Sequence, residues 1–342
     1  MLDRHITLYI PGLFGSPAWS GPEILQGLSL SGLELLLSRG RRRHQISRSS
    51  DEQLFELFAH SRMEGGLPVA AVMSRFDLDE PVADFYLCAT PVNMQPDRDR
   101  LLMLGADHLA VTVAEARQLA DEFNQLFAED GLWLDVPVSS RWYLRINSDI
   151  EIATQPLKAV VGQDVGLHLP TGKDAMRWHA MLNEVQMLFY SSSVNEKRRM
   201  SGQPEINSIW LWGEGELPPP QPNQWQCVWS NEPLSCALAS LGKNKQASMP
   251  ATADEWLEQA DQGGRHLLVF DVLAEAVAQH DIGRWRDMME SINDDWIEVL
   301  TVALKNNSIA SIQVLSENAE FNISRKSLKH WWKRTRPLMQ LK

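Results

Sequence analysis

The sequence predicts a mixed α/β protein in which helices cover the faces of a sheet. Strand-like segments alternate with amphipathic helical segments through both halves of the chain, which is the pattern of such a layered fold. The 342 residues are enough for one large domain or two ordinary ones. A hydrophobic content of 44% and a charged content of 22% are typical of a globular protein.

The first half begins with a strand and continues with helices. Residues 6–10 are β-rich and end at Pro11-Gly12, which indicates a strand followed by a turn. A helix is predicted at 28–38, closed by Gly40, and a second at 51–60, capped by Asp51. The remaining predictions in this half are a buried segment at 68–73, strands at 85–89, 100–104 and 142–146, and a helix at 113–128.

The second half repeats the alternation of helix and strand. Residues 217–222 contain four prolines, so they are predicted to be a connector. The other predictions are helices at 175–190 and 281–304 and strands at 206–212, 266–272 and 311–315, the last of which ends the sheet.

Composition disfavours several classes of function. The net charge of −12 argues against broad nucleic-acid binding, because an acidic surface repels a polyanion. No apolar run reaches the roughly 18 to 20 residues of a membrane helix, and the N-terminus lacks a secretory signal pattern. Three widely spaced cysteines, Cys88, Cys227 and Cys236, fit reduced core residues. We therefore expect a cytoplasmic protein without membrane or nucleic-acid partners.

Two basic segments oppose the acidic composition. Residues 39–44 read Arg-Gly-Arg-Arg-Arg-His, and residues 329–336 read Lys-His-Trp-Trp-Lys-Arg-Thr-Arg. Each is interpreted either as a solvated helix end, where cations complement the helix dipole, or as a site for an anion or a partner.

A resemblance to a known family appears in the middle of the chain. A helix containing Leu-Asn-Glu at 182–184 is followed by Ser-Val-Asn-Glu-Lys-Arg at 193–198 and by Gly-Gln-Pro-Glu-Ile-Asn-Ser-Ile-Trp-Leu-Trp-Gly at 202–213. This order resembles the archaeal-type branch of the cofactor-independent phosphoglycerate mutases, in the alkaline phosphatase superfamily. Residues 105–116 and 142–145 resemble the small domain inserted in that branch. Over nearly the full chain, the sequence is similar to the bacterial regulatory protein RpfE family.

The resemblance implies a domain arrangement. We expect an alkaline phosphatase-like core sheet flanked by helices, built from residues 1–80 and 156–342. A smaller α/β domain is expected to be inserted at residues 81–155.

The sequence departs from that family at its metal ligands. The superfamily uses two metal ions and a Ser or Thr nucleophile. The first strand is expected to end in Asp, but Pro11 stands there, and Glu317-Asn318 stands where an Asp-His pair is expected. The one Asp-His dipeptide, Asp107-His108, falls in the predicted insert. We therefore expect no metal and no cofactor.

No catalytic residue is assigned. Ser50 is either a nucleophile at a helix start or a plain N-cap. His280 lies nine positions after Asp271, which does not match the spacing expected of a ligand pair, and the roles of His280 and Asp281 stay open.

Without the metal ligands, the resemblance still implies binding of an anion. Arg141 and Arg145 lie four apart on a predicted strand, so they face the same side and would offer guanidinium forks to an anion. Asn195, Arg198 and Asn207 come from the motif that carries the resemblance. We expect these five residues to line a cleft between the two domains. The alternative is that Asn195 caps a turn, Arg198 is solvated and Asn207 starts a strand.

The sequence supports more than one class of function. The first hypothesis is a diverged mutase-like protein in a regulatory role, which binds a small phosphorylated or carboxylate metabolite or a protein partner. The alternative is an active metal-dependent phosphoglycerate mutase or phosphatase. A purely structural protein is the third, and the sequence predicts no oligomeric state.

Overall fold

The computed structural model describes residues 4–19, 22–44, 48–60, 66–78, 85–97, 100–104, 109–147, 150–160, 164–330 and 332–342. The chain divides into two compact units. The first unit is Met1–His60 with Pro220–Lys342, and the second unit is Ser61–Pro219.

The described strands form two sheets, one in each unit. In chain order they are β1 (Arg4–Tyr9), β2 (Arg41–His44), β3 (Phe85–Asp97), β4 (Arg100–Leu104), β5 (Leu132–Val138), β6 (Arg141–Ile146), β7 (Ser208–Trp212), β8 (Cys227–Trp229), β9 (Gln246–Ala247), β10 (Gly264–Val269), β11 (Ser311–Leu315) and β12 (Ala319–Ser324).

The described α-helices are distributed between the strands. In chain order they are α1 (Ser31–Arg39), α2 (Ser50–Leu57), α3 (Val69–Asp77), α4 (Val113–Phe127), α5 (Leu157–Val160), α6 (Ala175–Ser191), α7 (Ser193–Ser201), α8 (Pro233–Leu241), α9 (Ala253–Gln259), α10 (Val272–Ala278), α11 (Ile282–Ser291), α12 (Val299–Lys305) and α13 (Arg325–Leu328). A π-helical segment, Ile292–Glu298, joins α11 to α12.

The sheet of the first unit has the strand order β2-β12-β11-β1-β10-β8-β9. β1 lies near its centre and pairs in parallel with β10 and β11, while β10 pairs in parallel with β8. β12 and β2 are added antiparallel at one side. Because the central strands are parallel, the loops that follow them lie at one edge of the sheet.

Alternation along the strands separates the two faces of this sheet. Ile6 and Leu8 of β1 point to one face, where they join a core built with α1, α9 and the helical run 282–305. In the described part of the chain, six tryptophans are no more than about 2% exposed, and Trp256 and Trp285 of these belong to this core. Thr7 and Tyr9 point to the opposite face, as the period of two requires.

The sheet of the second unit has the order β4-β3-β6-β5, and β7 pairs with β3. β3 is thirteen residues long and pairs antiparallel with β6, β7 and β4 along successive parts of its length. The buried residues Leu119, Phe123 and Val185 of α4 and α6 pack into the core of this unit.

The predicted fold class, a mixed α/β fold with a large sheet flanked by helices, is confirmed. The compact units do not follow the predicted boundaries at 80/81 and 155/156. Residues 66–78 and 156–219 group with the second unit, because β7 pairs with β3 and α3 packs beside β3. The interpretation of residues 81–155 as an inserted domain stays a prediction.

Several element predictions need correction. The strand predicted at 266–272 ends at Val269, and Val272 starts α10. The strand at 311–315 is followed by β12, so it does not end the sheet. The helix predicted at 51–60 starts at Ser50 and is capped by Ser49, not by Asp51, because Ser49 and Glu52 form a reciprocal capping box.

No helix in the described part of the chain is long and apolar enough to cross a membrane.

The turn after β1 depends on a close backbone approach. Gly12 has a φ of +80°, which favours glycine. A Cβ atom at this position would lie 2.8 Å from the backbone carbonyl carbon of Leu273, at the start of α10. The turn therefore lacks room for any side chain.

We expect Gly12→Ala to lower the free energy of unfolding by roughly 2–4 kcal/mol, from the left-handed conformation and the overpacking together. Gly263→Ala is the matched control, since a Cβ there would meet nothing within 4 Å, and we expect it to change stability by less than about 0.5 kcal/mol. Chemical denaturation measures both. Equal effects of the two substitutions would contradict the close approach.

Candidate functional site

Arg141 is held by an ion pair within the second unit. Its Nε and Nη2 atoms lie 2.7 and 2.8 Å from the two carboxylate oxygens of Asp77, and the Tyr143 hydroxyl donates to the same carboxylate at 2.5 Å. The hydrogen bond to Asp77 raises the pKa of Arg141, and burial raises the pKa of Tyr143. The guanidinium fork predicted to bind an anion is thus bound to a carboxylate of the protein.

Arg145 is held more loosely. Its Nε atom lies 3.9 Å from a carboxylate oxygen of Asp135, and its guanidinium carbon lies 5.5 Å from the ring centroid of Trp133. Burial raises the pKa of Asp135, and the charge of Arg145 opposes this shift. Within the described residues the buried Nε of Arg145 has no hydrogen-bond partner, so this guanidinium keeps unused donor capacity.

Asn195 and Arg198 hold the segment that leads into β7. The Asn195 amide is fully buried, donates to the carbonyls of Phe189 and Ile206, and accepts from the Ile206 amide at 2.8 Å. Arg198 makes a bidentate pair with Glu115, and its Nη1 atom donates to the carbonyls of Leu109 and Pro204 at 2.9 Å. These contacts satisfy groups of the protein itself.

Asn207 joins β7 to β3. Its Oδ1 atom accepts from the Met94 amide at 2.7 Å, and its Nδ2 atom donates to the Met94 carbonyl at 2.8 Å. Residues 204–207 are therefore held in place by hydrogen bonds that involve the three motif residues Asn195, Arg198 and Asn207, an arrangement that we call the clamp. Residue types alone did not indicate this structural role.

The five predicted ligand residues all lie in the second unit. A cleft between two predicted domains as their place stays a prediction. The ion pairs of Arg141 and Arg145 involve different carboxylates, so the structure does not combine them into one fork. A role in ligand binding stays a prediction for these residues, and their contacts are those of structural groups.

The residues with open roles occupy helix starts. Ser50 is the first residue of α2, after the cap Ser49. Asp281 caps α11, because its Oδ1 atom accepts from the Arg284 amide at 2.9 Å. His280 precedes this cap with a φ of +56° and contacts the Val277 carbonyl.

The parallel strands of the first unit create the position where open α/β sheets bind ligands. We define the carboxyl edge as residues 10–12, 230–232, 270–271 and 316–318, which follow β1, β8, β10 and β11, together with the start of α2 at 49–51. The Tyr9 hydroxyl donates to the Ser50 carbonyl at 2.9 Å, and Gln53 donates to the Ser316 carbonyl at 2.6 Å. These bonds fix α2 at this edge.

Two carboxylates of the carboxyl edge are engaged with backbone amides. Glu317 accepts from the Gly12 amide at 2.5 Å. Glu232 caps α8, with its two oxygens accepting from the amides of Leu234 and Ser235 at 3.1 and 2.6 Å. Each carboxylate therefore stabilises a turn or a helix start.

Burial changes the proton affinity of groups at this edge. It raises the pKa of Glu317, against the lowering effect of the amides of Glu317 and Gly12. Burial also raises the pKa of Tyr9, and the carboxylates of Glu317, Asp51 and Glu232 raise it further. Tyr9 is therefore a hydrogen-bond donor here, not a phenolate.

The absence of a two-metal centre at the carboxyl edge stays a prediction. Pro11 has no donor side chain, and an amide such as that of Asn318 is a poor substitute for imidazole. In the described part of the chain, no group of three or more His, Cys, Asp or Glu residues is arranged to hold a metal ion. The three cysteines are free, and burial raises the pKa of Cys227 to about 11, so its thiol stays protonated.

A cavity of about 210 Å³ lies next to the carboxyl edge, on the face of the sheet that carries Tyr9. Its described lining includes one cation, Arg265, whose guanidinium carbon lies 4.6 Å from the ring centroid of Trp225. It also includes one carboxylate, Glu56, which is paired with Arg48. The carboxamides of Gln53, Gln224 and Gln313 also line it. Sequence reasoning missed these residues, because they are scattered through the chain and carry no motif.

Arg198→Ala tests the clamp on residues 204–207. The side chain of Arg198 is 1% exposed, so its removal leaves two carbonyls without a donor and Glu115 without its cation, and we expect a loss of roughly 3–5 kcal/mol in the free energy of unfolding. Arg199→Ala is the control, since its pair with Glu205 is 40% exposed on the arginine side, and it should cost less than about 1 kcal/mol. Similar losses in urea denaturation would contradict the assignment.

Glu317→Gln tests the buried carboxylate. A raised folded-state pKa means that the folded protein binds this proton more tightly, so the contribution of Glu317 to stability falls as pH rises above about 4.3, its ordinary value. The variant keeps an acceptor for the Gly12 amide, and its stability relative to the parent should increase with pH. Urea denaturation between pH 4 and 8 measures this, with the exposed Glu258→Gln as control. A difference that is constant with pH would refute it.

No family model matches the chain. The chain is 28% identical over 138 residues to a probable 2,3-bisphosphoglycerate-independent phosphoglycerate mutase of Geobacter sulfurreducens, a match to 40% of this chain and 34% of that protein. It is 28% identical over 126 residues to the 2,3-bisphosphoglycerate-independent phosphoglycerate mutase 2 of Methanothermobacter thermautotrophicus, 36% of this chain and 31% of that protein. The match spans about one third of the length of these curated relatives.

Two solved structures resemble the whole chain. One is a cofactor-independent phosphoglycerate mutase from Thermoplasma acidophilum, with a TM-score of 0.54 and 15% identity over 100% of this chain and 95% of that one. The other is a protein from Pyrococcus horikoshii, with a TM-score of 0.60 and 13% identity over 95% and 88%. Identities this low show the fold alone. The two curated relatives are a probable phosphoglycerate mutase and a phosphoglycerate mutase, and the chain has the fold of a cofactor-independent phosphoglycerate mutase.

Proposed function

We propose that the chain is a diverged phosphoglycerate mutase-like protein that does not carry out two-metal phosphoryl transfer and instead binds a small phosphorylated or carboxylate metabolite, or a protein partner, in a regulatory role. One observation carries this proposal. At the carboxyl edge, Pro11 and Glu317-Asn318 stand where the resemblance leads us to expect metal ligands, and Glu317 is engaged with the Gly12 amide.

The chemistry of the donor set supports the proposal. Two-metal catalysis needs several side chains that are free to coordinate, with the metals positioned on the transferred group. Glu232 already caps α8 with both oxygens, and Glu317 is bonded to the turn after β1. Freeing either carboxylate would leave backbone amides unpaired, which costs about 1–3 kcal/mol for each buried group.

The cavity lined by Arg265 supports binding of a small anion. The guanidinium group offers planar donors that match a phosphate or carboxylate, and the three glutamine side chains offer further donors without adding charge. The stacking on Trp225 orients Arg265 before a ligand arrives. The volume of about 210 Å³ lies below the roughly 300–1,000 Å³ range of most small-molecule sites, so it admits a compact metabolite and not a large cofactor.

The regulatory role rests on the resemblance to the bacterial RpfE family inferred from the sequence alone, and a cytoplasmic location is part of the same proposal. An active metal-dependent mutase or phosphatase is the second candidate. It is favoured by four carboxylates near the carboxyl edge. Those of Asp51, Glu232 and Glu317 raise the pKa of Tyr9. The carboxylates of Glu232 and Asp271 raise the pKa of Cys236.

The proposal predicts ligand binding without metal-dependent turnover. We expect 3-phosphoglycerate to raise the melting temperature of the purified protein equally with and without Mn²⁺, since a ligand that binds only the native state stabilises it by about 2.7 kcal/mol at 100 times Kd. Arg265→Gln should weaken this binding by about 10- to 100-fold. The control is Arg325→Gln, which removes an exposed cation of α13 that lines no part of this cavity.

Turnover of phosphoglycerates is measured in the same samples. Mn²⁺-dependent mutase or phosphatase activity that is lost in Asp51→Asn would overturn the proposal and establish the second candidate. A melting temperature that 3-phosphoglycerate does not change, or changes equally in Arg265→Gln and the parent, would remove the small-anion site in the cavity.

A further inference from the structure

The two basic segments of the sequence meet in the first unit, although about 290 positions separate them. The Lys333 ammonium donates to the Gly40 carbonyl at 3.4 Å, and the Arg336 amide donates to the Ser38 hydroxyl at 2.9 Å. The end of α1 and the start of β2 therefore form one wall of a cavity, and residues 332–336 form another. We call it the basic cavity.

The basic cavity has a strong positive charge on an otherwise acidic protein. Its volume is about 710 Å³, within the roughly 300–1,000 Å³ range of small-molecule sites. Four cations line it, Arg42, Lys333, Arg334 and Arg336, and no acidic residue is among the described lining residues. This local field attracts an anion that the rest of the surface repels.

The guanidinium groups of the basic cavity are uncommitted. Among the residues that the structure describes, Arg42, Arg334 and Arg336 have no ion pair and no hydrogen bond from their side chains. The Nε atom of Arg42 is buried without a partner, and so are Nε and Nη1 of the neighbouring Arg39. Most buried polar groups in proteins are hydrogen-bonded, so these nitrogens indicate a missing acceptor.

The walls of the basic cavity are held in place by the core. Leu338 and Leu341 are buried among the residues of the first unit, and the Leu338 amide donates to the Glu34 carboxylate at 2.9 Å. Arg42 lies on β2 opposite Phe321 of β12, another buried core residue. The cations are therefore presented by anchored backbone, which lowers the entropic cost of binding.

We propose that the basic cavity binds a small molecule that carries two or more phosphate groups. Each guanidinium can make two parallel hydrogen bonds to one phosphate, and three such groups around one cavity match several phosphates better than one. The cavity volume of about 710 Å³ and the net charge of −12 favour a small anion over a nucleic acid, which an acidic protein repels as a whole.

Trp332 lines the same cavity and its side chain is exposed, with 63% of its surface accessible. An indole at this place can stack on a base ring, so the ligand is either a nucleotide or an inorganic polyphosphate. The shared chemistry is the phosphate chain. None of the residues of this cavity belongs to the carboxyl edge or to the cavity of Arg265, so the inference does not depend on the proposed function.

The test uses isothermal titration at about 150 mM salt with tripolyphosphate, ATP, inorganic phosphate and a single-stranded oligonucleotide. The decisive variant is Arg334→Gln with Arg336→Gln, whose side chains are exposed, so the fold should persist. Arg177→Gln with Lys305→Gln removes the same charge from exposed positions elsewhere and is the control.

We expect saturable binding of tripolyphosphate and ATP, weakened by about 10- to 100-fold in the decisive variant and unchanged in the control. If ATP binds more tightly than tripolyphosphate, and Trp332→Ala reduces its affinity to that of tripolyphosphate, the ligand is a nucleotide. If the two affinities are equal, the site recognises the phosphate chain alone. The proposal fails if neither compound binds, if both variants weaken binding equally, or if only the oligonucleotide binds. It also fails if inorganic phosphate binds as tightly as tripolyphosphate.

Discussion

The first unit depends on one pairing, in which β1 lies between β10 and β11. Arg4 is in register with Gly264, and His5 is in register with Ser311, so the first strand joins segments about 260 and 306 positions away. This strand is not paired through a short hairpin, so it can pair only after the distant strands β10 and β11 have formed. The carboxyl edge, the buried face of Ile6 and Leu8, and the turn at Gly12 all follow from this arrangement. Such non-local pairing is entropically costly to form and makes the topology slow to assemble.

At the turn around Gly12, backbone groups of the same edge are hydrogen-bonded within the protein. In an open α/β sheet the loops after parallel strands usually leave backbone amides and side chains available to a ligand. Here the Gly12 amide is taken by Glu317, the Gly12 carbonyl accepts from the Trp285 indole, and the Ser316 carbonyl accepts from Gln53. These three polar groups of the edge therefore have hydrogen-bond partners within the protein. The polar groups of this edge thus stabilise the fold itself.

Sequence reasoning identified the elements whose signal is local. Helix α4 and strand β1 were predicted nearly to their ends, because the spacing of apolar residues in each is regular. β2 was not predicted, since three consecutive arginines have no strand-like alternation, and only the pairing with β12 makes them a strand. The roles of Asn195 and Arg198 were equally out of reach. The sequence does not distinguish a polar residue that contacts a ligand from one that contacts a backbone carbonyl. For Arg198, the partners Glu115 and Leu109 also lie more than 80 positions away.

The two outer strands of the first sheet, β2 and β9, differ in a way that bears on self-association. An unpaired outer strand invites a second molecule to extend the sheet. β9 has two residues, too few to template such an addition, whereas β2 reads Arg-Arg-Arg-His. A second copy docking on β2 would bring arginine against arginine, so like charge protects this side from fibre-like growth. This repulsion is electrostatic, so it weakens as the salt concentration rises. The solubility of the protein should therefore depend on ionic strength, through the charges of β2 in particular.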